Sequence, residues 1–226
     1  MIGNEKLIYL SHSLSEMTPS YGGSQGMTVK PQKQISYGDS CNTEVWTLPN
    51  HIGTHVDAPK HFFEEGMGID IYKPEFWICN NIAIIHCPIN RPRWILPKDL
   101  SDNIDTNHDC ILIKTGFQRY RNDIVYYKDN PGLAPELGQW LRKNYPNVKM
   151  IGVDFISVSR FSDRDIGRKA HKEFLCPSRP GNSILPIEDM NLSLITNEMK
   201  IKILMIFPVR VKEASGAPVT VIAQMS

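Results

Sequence analysis

The sequence has few cysteines, no long hydrophobic run and almost no excess of charge. Its 226 residues include five cysteines. The odd number, without a Cys-x-x-Cys pair, argues against a disulfide framework or a thiolate zinc site. The strongest apolar run, residues 203–207, is far too short to span a bilayer. The formal net charge of +1 excludes a global field that would recruit nucleic acid or an anionic membrane. We therefore expect neither as a partner.

The length and composition are those of a globular protein. Apolar residues make up 41% and charged residues 22%, both within the ordinary range. The length permits one sizeable core or at most two small domains. No clear linker divides the chain, so we expect a single domain over residues 1–226. The N-terminus lacks the basic start and apolar stretch of a signal peptide, and we expect a cytoplasmic protein.

Segments rich in β-branched residues and flanked by turn formers predict strands. The predicted strands are residues 6–12, 81–89, 109–116, 150–157, 200–211 and 218–224. Two helices are also predicted. One begins at Pro135 and stops before Pro146. The other begins near Ser162, a plausible N-cap, and runs to about Leu175. Because strands outnumber helices, the expected fold class is mixed α/β.

One short stretch concentrates residues that bind metals. Three histidines and one aspartate, His51, His55, Asp57 and His61, lie within eleven residues. Imidazole nitrogens and carboxylate oxygens suit zinc, manganese or iron(II). The four positions share parity, so an extended chain would project them to one face. Full extension would still leave His51 and Asp57 about 20 Å apart. The chain must therefore bend, and Gly53 can adopt the necessary dihedral angles.

Residues 51–61 read His-x-Gly-Thr-His-x-Asp-x-Pro-x-His. This pattern resembles the signature of the cyclase family of metal-dependent hydrolases, which includes bacterial kynurenine formamidase and isatin hydrolase. Further similarities lie in residues 113–117, 131–136, 151–157 and 167–175, so the resemblance covers most of the chain. It implies the family's swivelling β/β/α fold, a mixed sheet with flanking helices. It also implies assembly as a homodimer or homotetramer, with the active site near a subunit interface.

The resemblance further implies a set of metal ligands. These are His51, His55, Asp57, His171 and Glu188. Asp57 would bridge two ions in the two-metal members of the family. The expected cofactor is one or two Zn²⁺ ions, with Mn²⁺ as the alternative. The stretch 176–182 is longer than in the formamidase members, so Asp189 remains an alternative to Glu188 as the last ligand.

The expected reaction is hydrolysis of a small-molecule substrate. A divalent ion lowers the pKa of a coordinated water towards about 7, which supplies hydroxide for attack on an amide, formamide, lactam or lactone carbonyl. By resemblance, His61 does not bind metal. Instead it takes a proton and passes it to the leaving group. Two alternatives stay open: a cyclase or dehydratase that uses the metal as a Lewis acid, and a non-catalytic metal-binding protein.

The substrate-binding loop differs from that of the formamidase branch. There, a tryptophan followed by Pro-Gly packs on the aryl ring. Here the corresponding stretch is Tyr21-Gly22-Gly23, within a glycine-rich loop at residues 18–26 that is either a lid or a surface connection. Tyrosine keeps an aromatic face and adds a hydroxyl. Tyr21 is therefore the expected substrate-binding residue, and the identity of the substrate stays open.

Overall fold

A mixed β-sheet lies at the centre of the computed structural model, which describes residues 6–179 and 181–226. The expectation about a signal peptide concerns the N-terminus, of which residues 1–5 lie outside this range. The strands are β1 (Leu7–Tyr9), β2 (Thr28–Lys33), β3 (Thr43–Thr47), β4 (His55–Asp57), β5 (Ile78–Cys79), β6 (Ile82–His86), β7 (Trp94–Ile95), β8 (Cys110–Lys114), β9 (Gly132–Leu133), β10 (Met150–Val153), β11 (Leu185–Glu188), β12 (Ile201–Pro208) and β13 (Gly216–Met225). The α-helices are α1 (Ile124–Lys128), α2 (Pro135–Asn144) and α3 (Arg164–Leu175).

The main sheet joins an antiparallel half to a parallel half. Its strand order is β5-β12-β13-β4-β11-β10-β8-β6, and β1 also pairs with β13. Strands β11, β10, β8 and β6 run parallel. Strand β4 is antiparallel to both β13 and β11 and therefore connects the two halves. Strands β6 and β12 approach each other, so the sheet is nearly closed.

Both faces of the parallel half are buried, because successive side chains of a strand point to opposite faces. On β8, Cys110 and Leu112 belong to a core that also includes residues of the antiparallel half. Their neighbours Ile111 and Ile113 belong to a second core, which includes Leu137 and other residues of helices α2 and α3. This two-sided burial explains the continuous apolar runs in the sequence.

The two predicted helices are present, and one of them starts differently from the prediction. Helix α2 begins at Pro135 as predicted. The prediction of Ser162 as the N-cap of α3 is wrong. Residues Phe161–Asp163 form a 3₁₀ turn, and the Asp163 side chain accepts a hydrogen bond from the backbone N–H of Ile166. Asp163 is therefore the residue that caps the helix.

The predicted strands correspond to observed strands, most of which are shorter. For example, the strand predicted at residues 150–157 ends at Val153. The sequence pattern does not predict β4 and β11, which have three and four residues. These strands are too short to show a hydrophobic period. The mixed α/β class is confirmed. Within the described residues, no helix combines the length and apolar character needed to cross a membrane.

Candidate metal centre

Strand β4 presents two of the predicted ligands on one face. His55 and Asp57 are two residues apart, so both side chains project to the same side. His55 Nε2 lies 3.5 Å from Asp57 Oδ1. Just before the strand, Gly53 has a φ of +60°, and this is the bend predicted from the sequence. The bend directs His51 back towards the strand, where its Nδ1 lies 2.8 Å from Asp57 Oδ1.

Helix α3 and strand β11 deliver the other two predicted ligands. His171 Nε2 lies 3.3 Å from Asp57 Oδ2 and 3.2 Å from Glu188 Oε1. The second oxygen of Glu188, Oε2, lies 3.4 Å from His55 Nε2. All four side chains are buried. The structure therefore brings the five residues of the predicted ligand set together, although they come from three separate parts of the chain.

Asp57 occupies the middle of the cluster. Among the described residues, two groups have potential ligand atoms within 4.8 Å of one another: His51, Asp57 and His61, and Asp57, His171 and Glu188. Asp57 belongs to both groups. Its Oδ1 faces His51 and its Oδ2 faces His171. A carboxylate in this position can bridge two ions.

The donor set fits a divalent cation. Nδ1 of His55 lies 2.9 Å from the carbonyl oxygen of Gly53, and Nδ1 of His171 lies 3.0 Å from that of Gly167. A carbonyl only accepts, so each Nδ1 carries a hydrogen, and each Nε2 can offer its lone pair to a metal. Asp57 Oδ2 is buried, and its contact within the described structure is the ion pair with His171 Nε2 at 3.3 Å, without a hydrogen bond of normal geometry. Leaving a buried charged oxygen unsatisfied is costly, and a cation would satisfy it.

In the absence of a cation, the histidines and carboxylates form ion pairs. Burial lowers the pKa of His171, but the nearby carboxylates of Asp57 and Glu188 outweigh burial and raise this pKa to about 10. The same two carboxylates raise the pKa of His55 against the effect of burial. Burial and the charge of Asp57 raise the pKa of Glu188, but hydrogen bonds from His171 and His55 lower it to about 2. Protonated rings therefore balance the carboxylates when no metal does.

Residues distant in the chain orient the ligands. Ser215 Oγ lies 3.1 Å from His51 Nε2, and Ser159 Oγ lies 3.1 Å from His171 Nδ1. The backbone N–H of Val158 donates to Glu188 Oε1 over 2.6 Å. The sequence does not predict the role of these groups, because serine hydroxyls and backbone amides are common and carry no local signature.

Asp189, the alternative ligand, is engaged elsewhere. It has a φ of +52°, a left-handed backbone conformation. Its carboxylate accepts hydrogen bonds from Arg121, with Nη2 to Oδ2 at 2.7 Å, and from the hydroxyl of Tyr126. The geometry therefore favours Glu188 over Asp189 as a ligand.

A cleft of about 540 Å³ opens onto the cluster, and His61 lies at its edge. Pro59 starts the 3₁₀ turn that carries His61. The residue is exposed, but its ring stacks on His51 with the centroids 3.9 Å apart. Desolvation of the ring lowers the pKa of His61 to about 4, although the charge of Asp57 opposes this. The ring is therefore neutral at neutral pH and can accept a proton.

Tyr21 lines the same cleft. Its ring meets Phe161 edge-on, with the centroids 5.4 Å apart. Its hydroxyl is buried, and its polar neighbour among the described residues is the side chain of Ser159. Burial and the charge of Glu188 raise the pKa of Tyr21 to about 12, so the hydroxyl stays protonated at neutral pH and can donate to a ligand. The loop at residues 18–26 thus forms part of the cleft wall.

A family model described as "Putative cyclase" matches residues 8–160, which include the histidine-rich stretch. The chain belongs to this cyclase family. It is 28% identical over 167 residues to kynurenine formamidase of Geobacillus thermodenitrificans, covering 74% of this chain and 75% of the relative. It is 26% identical over 237 residues to cyclase-like protein 3 of Oryza sativa subsp. japonica, covering 96% and 79%.

The cyclase-family fold also appears among solved structures. Isatin hydrolase A from Labrenzia aggregata, solved with benzyl benzoate, has a TM-score of 0.81 to this chain, covering 98% of this chain and 94% of that one at 18% identity. At this identity the likeness shows the fold alone. It confirms the fold class expected from the family resemblance. The chain thus has the fold of cyclase-family metal-dependent hydrolases.

Proposed function

We propose that this cyclase-family protein is a metal-dependent hydrolase of the arylformamidase type. It would hydrolyse the C–N bond of a small-molecule amide, formamide or lactam or, as a further candidate, the acyl C–O bond of a lactone. The observation that carries the proposal is the arrangement around Asp57, where five candidate ligands converge at the base of a cleft. A divalent ion there, zinc or manganese, supplies Lewis acidity for a carbonyl oxygen and makes water nucleophilic at neutral pH.

The proposed ligands are the converging residues, His51, His55, Asp57, His171 and Glu188. The proposed proton carrier is His61. Its ring is neutral and lies at the edge of the cleft, so it can take a proton from the attacking water and return it to the departing nitrogen. The hydroxyl of Tyr21 would donate a hydrogen bond to the substrate, and its ring would pack against an apolar part of the substrate. The relationship to kynurenine formamidase supports this chemistry.

The test is hydrolysis of an N-formylated aromatic amine by protein loaded with zinc or with manganese. Wild type is compared with His61→Ala and with His86→Ala, which removes an exposed histidine outside the cleft. We expect kcat to fall about 10²–10⁴-fold in His61→Ala and to stay unchanged in His86→Ala. Metal content, measured by atomic emission, should be equal in all three proteins.

Metal content is decisive for His61, because a ring nitrogen of His61 lies within 4.8 Å of potential ligand atoms of His51 and Asp57, close enough for the three to share an ion. Loss of metal from His61→Ala would identify His61 as a ligand and contradict the proton-carrier role. Failure of metal-loaded wild type to hydrolyse any formamide, lactam or lactone would contradict the hydrolase proposal. Turnover without incorporation of oxygen-18 from labelled water would indicate ring closure or dehydration instead.

A further inference from the structure

Two arginines of helix α3 line the cleft together with the candidate ligand His171. Arg164 and Arg168 precede His171 by seven and three residues. This spacing places the three side chains on one face of the helix. With a rise of 1.5 Å per residue, Arg168 lies about 5 Å and Arg164 about 10 Å from His171 along the helix axis. The helix therefore places two positive charges in the cleft, on the same helix face as the candidate ligand His171.

Among the residues that the structure describes, neither arginine has a strong partner. Arg168 pairs with Asp165, and the two side chains are 57% and 81% exposed. Such exposed pairs contribute little to stability and exchange readily. Within the described part of the chain, Arg164 contacts no carboxylate. Its guanidinium carbon lies 4.1 Å from the ring centroid of Phe161. Both cations are therefore available to a ligand in the cleft.

Aromatic side chains line the same cleft. The ring of Phe62 stacks on His171 with the centroids 4.8 Å apart, and Phe62 and Tyr21 both line the cleft. The cleft thus offers carboxylate and imidazole ligands, aromatic surface and two guanidinium groups. These surfaces complement a molecule that carries a reactive carbonyl, an apolar ring and an anionic group on different atoms.

We propose that the substrate carries a carboxylate remote from its reacting carbonyl, and that Arg164 and Arg168 bind this carboxylate. The proposal rests on the proposed hydrolase function and adds the charge of the substrate to it. A guanidinium group matches a carboxylate through two parallel hydrogen bonds. The two arginines would then select acids over neutral molecules of the same shape.

The test compares an acid with its neutral amide. The substrates are 4-formamidobenzoate and 4-formamidobenzamide, and the corresponding products are 4-aminobenzoate and 4-aminobenzamide. Two ratios are measured in the metal-loaded protein. One is the ratio of kcat/KM for the two substrates. The other is the ratio of Kd for the two products, determined by calorimetry. The variants are Arg164→Gln, Arg168→Gln and the double variant. The matched control is Lys169→Gln with Lys172→Gln, which removes two exposed charges of α3 that do not line the cleft.

We expect wild type to prefer the acid by about tenfold or more in both ratios, as for a charge-assisted hydrogen bond. The double arginine variant should lose this preference, whereas the lysine control should keep it. Equal binding of acid and amide by wild type would overturn the proposal. So would a preference that survives in the arginine variants, because the metal would then be binding the carboxylate. An equal loss of the preference for the acid in the lysine control would also overturn the proposal, because the net charge of the helix would then explain the preference.

The product-binding measurement separates this proposal from the hydrolase proposal. If neither formamide is turned over but 4-aminobenzoate binds through the arginines, the carboxylate site stands and the assigned reaction is wrong. If both formamides are hydrolysed equally well and 4-aminobenzoate and 4-aminobenzamide bind equally, the reaction stands and the carboxylate site is wrong.

Discussion

Gly216 leaves the space that His51 occupies. In the sheet, Gly216 of β13 lies opposite Asp57 of β4, so a side chain at residue 216 would project to the face of Asp57. A Cβ atom there would lie 2.4 Å from Cε1 of His51 and 2.8 Å from the carbonyl oxygen of Val56. Both distances are below van der Waals contact. The absence of a side chain at residue 216 is therefore a condition for the position of His51.

We predict that Gly216→Ala displaces His51 and weakens metal binding. The affinity for zinc should fall by at least about tenfold, as when an orienting contact of a ligand is lost. The free energy of unfolding should fall by about 1–3 kcal/mol through overpacking. Competition with a fluorescent chelator measures the affinity. Gly26→Ala is the control, because the nearest atom to a Cβ there is 3.8 Å away. Equal zinc affinity in both variants would contradict the prediction.

At the scale of elements, the end of β11 is held by a buried ion pair. Arg121 donates to both carboxylate oxygens of Asp189, and the hydroxyl of Tyr126 donates to the same carboxylate. The side chain of Asp189 is 1% exposed. Because Asp189 directly follows Glu188, these contacts also fix the strand end from which Glu188 enters the metal centre.

We predict that Arg121→Met strongly destabilises the protein. Among the described residues, it would leave Tyr126 as the side-chain hydrogen-bond donor to the buried carboxylate of Asp189, at a cost of about 3–5 kcal/mol. The matched control is Arg93→Met. Arg93 also forms two hydrogen bonds to one carboxylate, that of Asp99, but its side chain is 42% exposed. We expect that variant to lose about 1 kcal/mol or less. Urea denaturation measures both, and equal losses would contradict the prediction.

Helix α2, which has a long hydrophobic period, is predicted from the sequence, and the short strands β4 and β11 are not. Helix α2 follows from Pro135 and from an apolar stripe that spans several turns. Strands β4 and β11 have no such period. They exist because they pair with each other and with β10 and β13, and β13 begins more than 150 residues after β4. Their formation is thus a property of the assembled sheet.

At the scale of the whole molecule, metal binding should be coupled to proton release. The pKa of His171 is raised to about 10 and that of His55 is also raised, in both cases by Asp57 and Glu188. Both rings are therefore protonated on both nitrogens, and positively charged, at neutral pH in the metal-free protein. A ring nitrogen must lose its proton before it binds metal, so a rise in pH removes the competing proton.

We predict that apparent zinc affinity increases with pH across the neutral range, up to the raised pKa values. Each of the two rings should release a proton on binding. Calorimetric titration in buffers with different ionisation enthalpies counts these protons. Glu188 contributes no pH dependence in this range, because its pKa is lowered to about 2. An affinity that is independent of pH would contradict the prediction.

A second prediction at this scale concerns assembly. The β2–β3 ribbon has no buried side chain, and its Trp46 is 61% exposed. An isolated two-stranded ribbon is only marginally stable in water. We therefore expect a second copy of the chain to cover it, in a homodimer or homotetramer. Light scattering should give at least twice the 25.7 kDa mass of the chain. Trp46→Glu should reduce this mass, and Ile71→Glu, at a residue 60% exposed outside the ribbon, should not.

The sequence alone determined the residue types of the candidate metal centre and part of its local geometry. The common face of His55 and Asp57 and the bend at Gly53 follow from residues within one short stretch, where strand periodicity and backbone freedom act. The family resemblance named His171 and Glu188, but only the tertiary structure brought them into contact with this stretch and paired the alternative, Asp189, with Arg121. Those contacts join segments far apart in the chain. Their geometry depends on strand pairing and core packing, which no local pattern encodes.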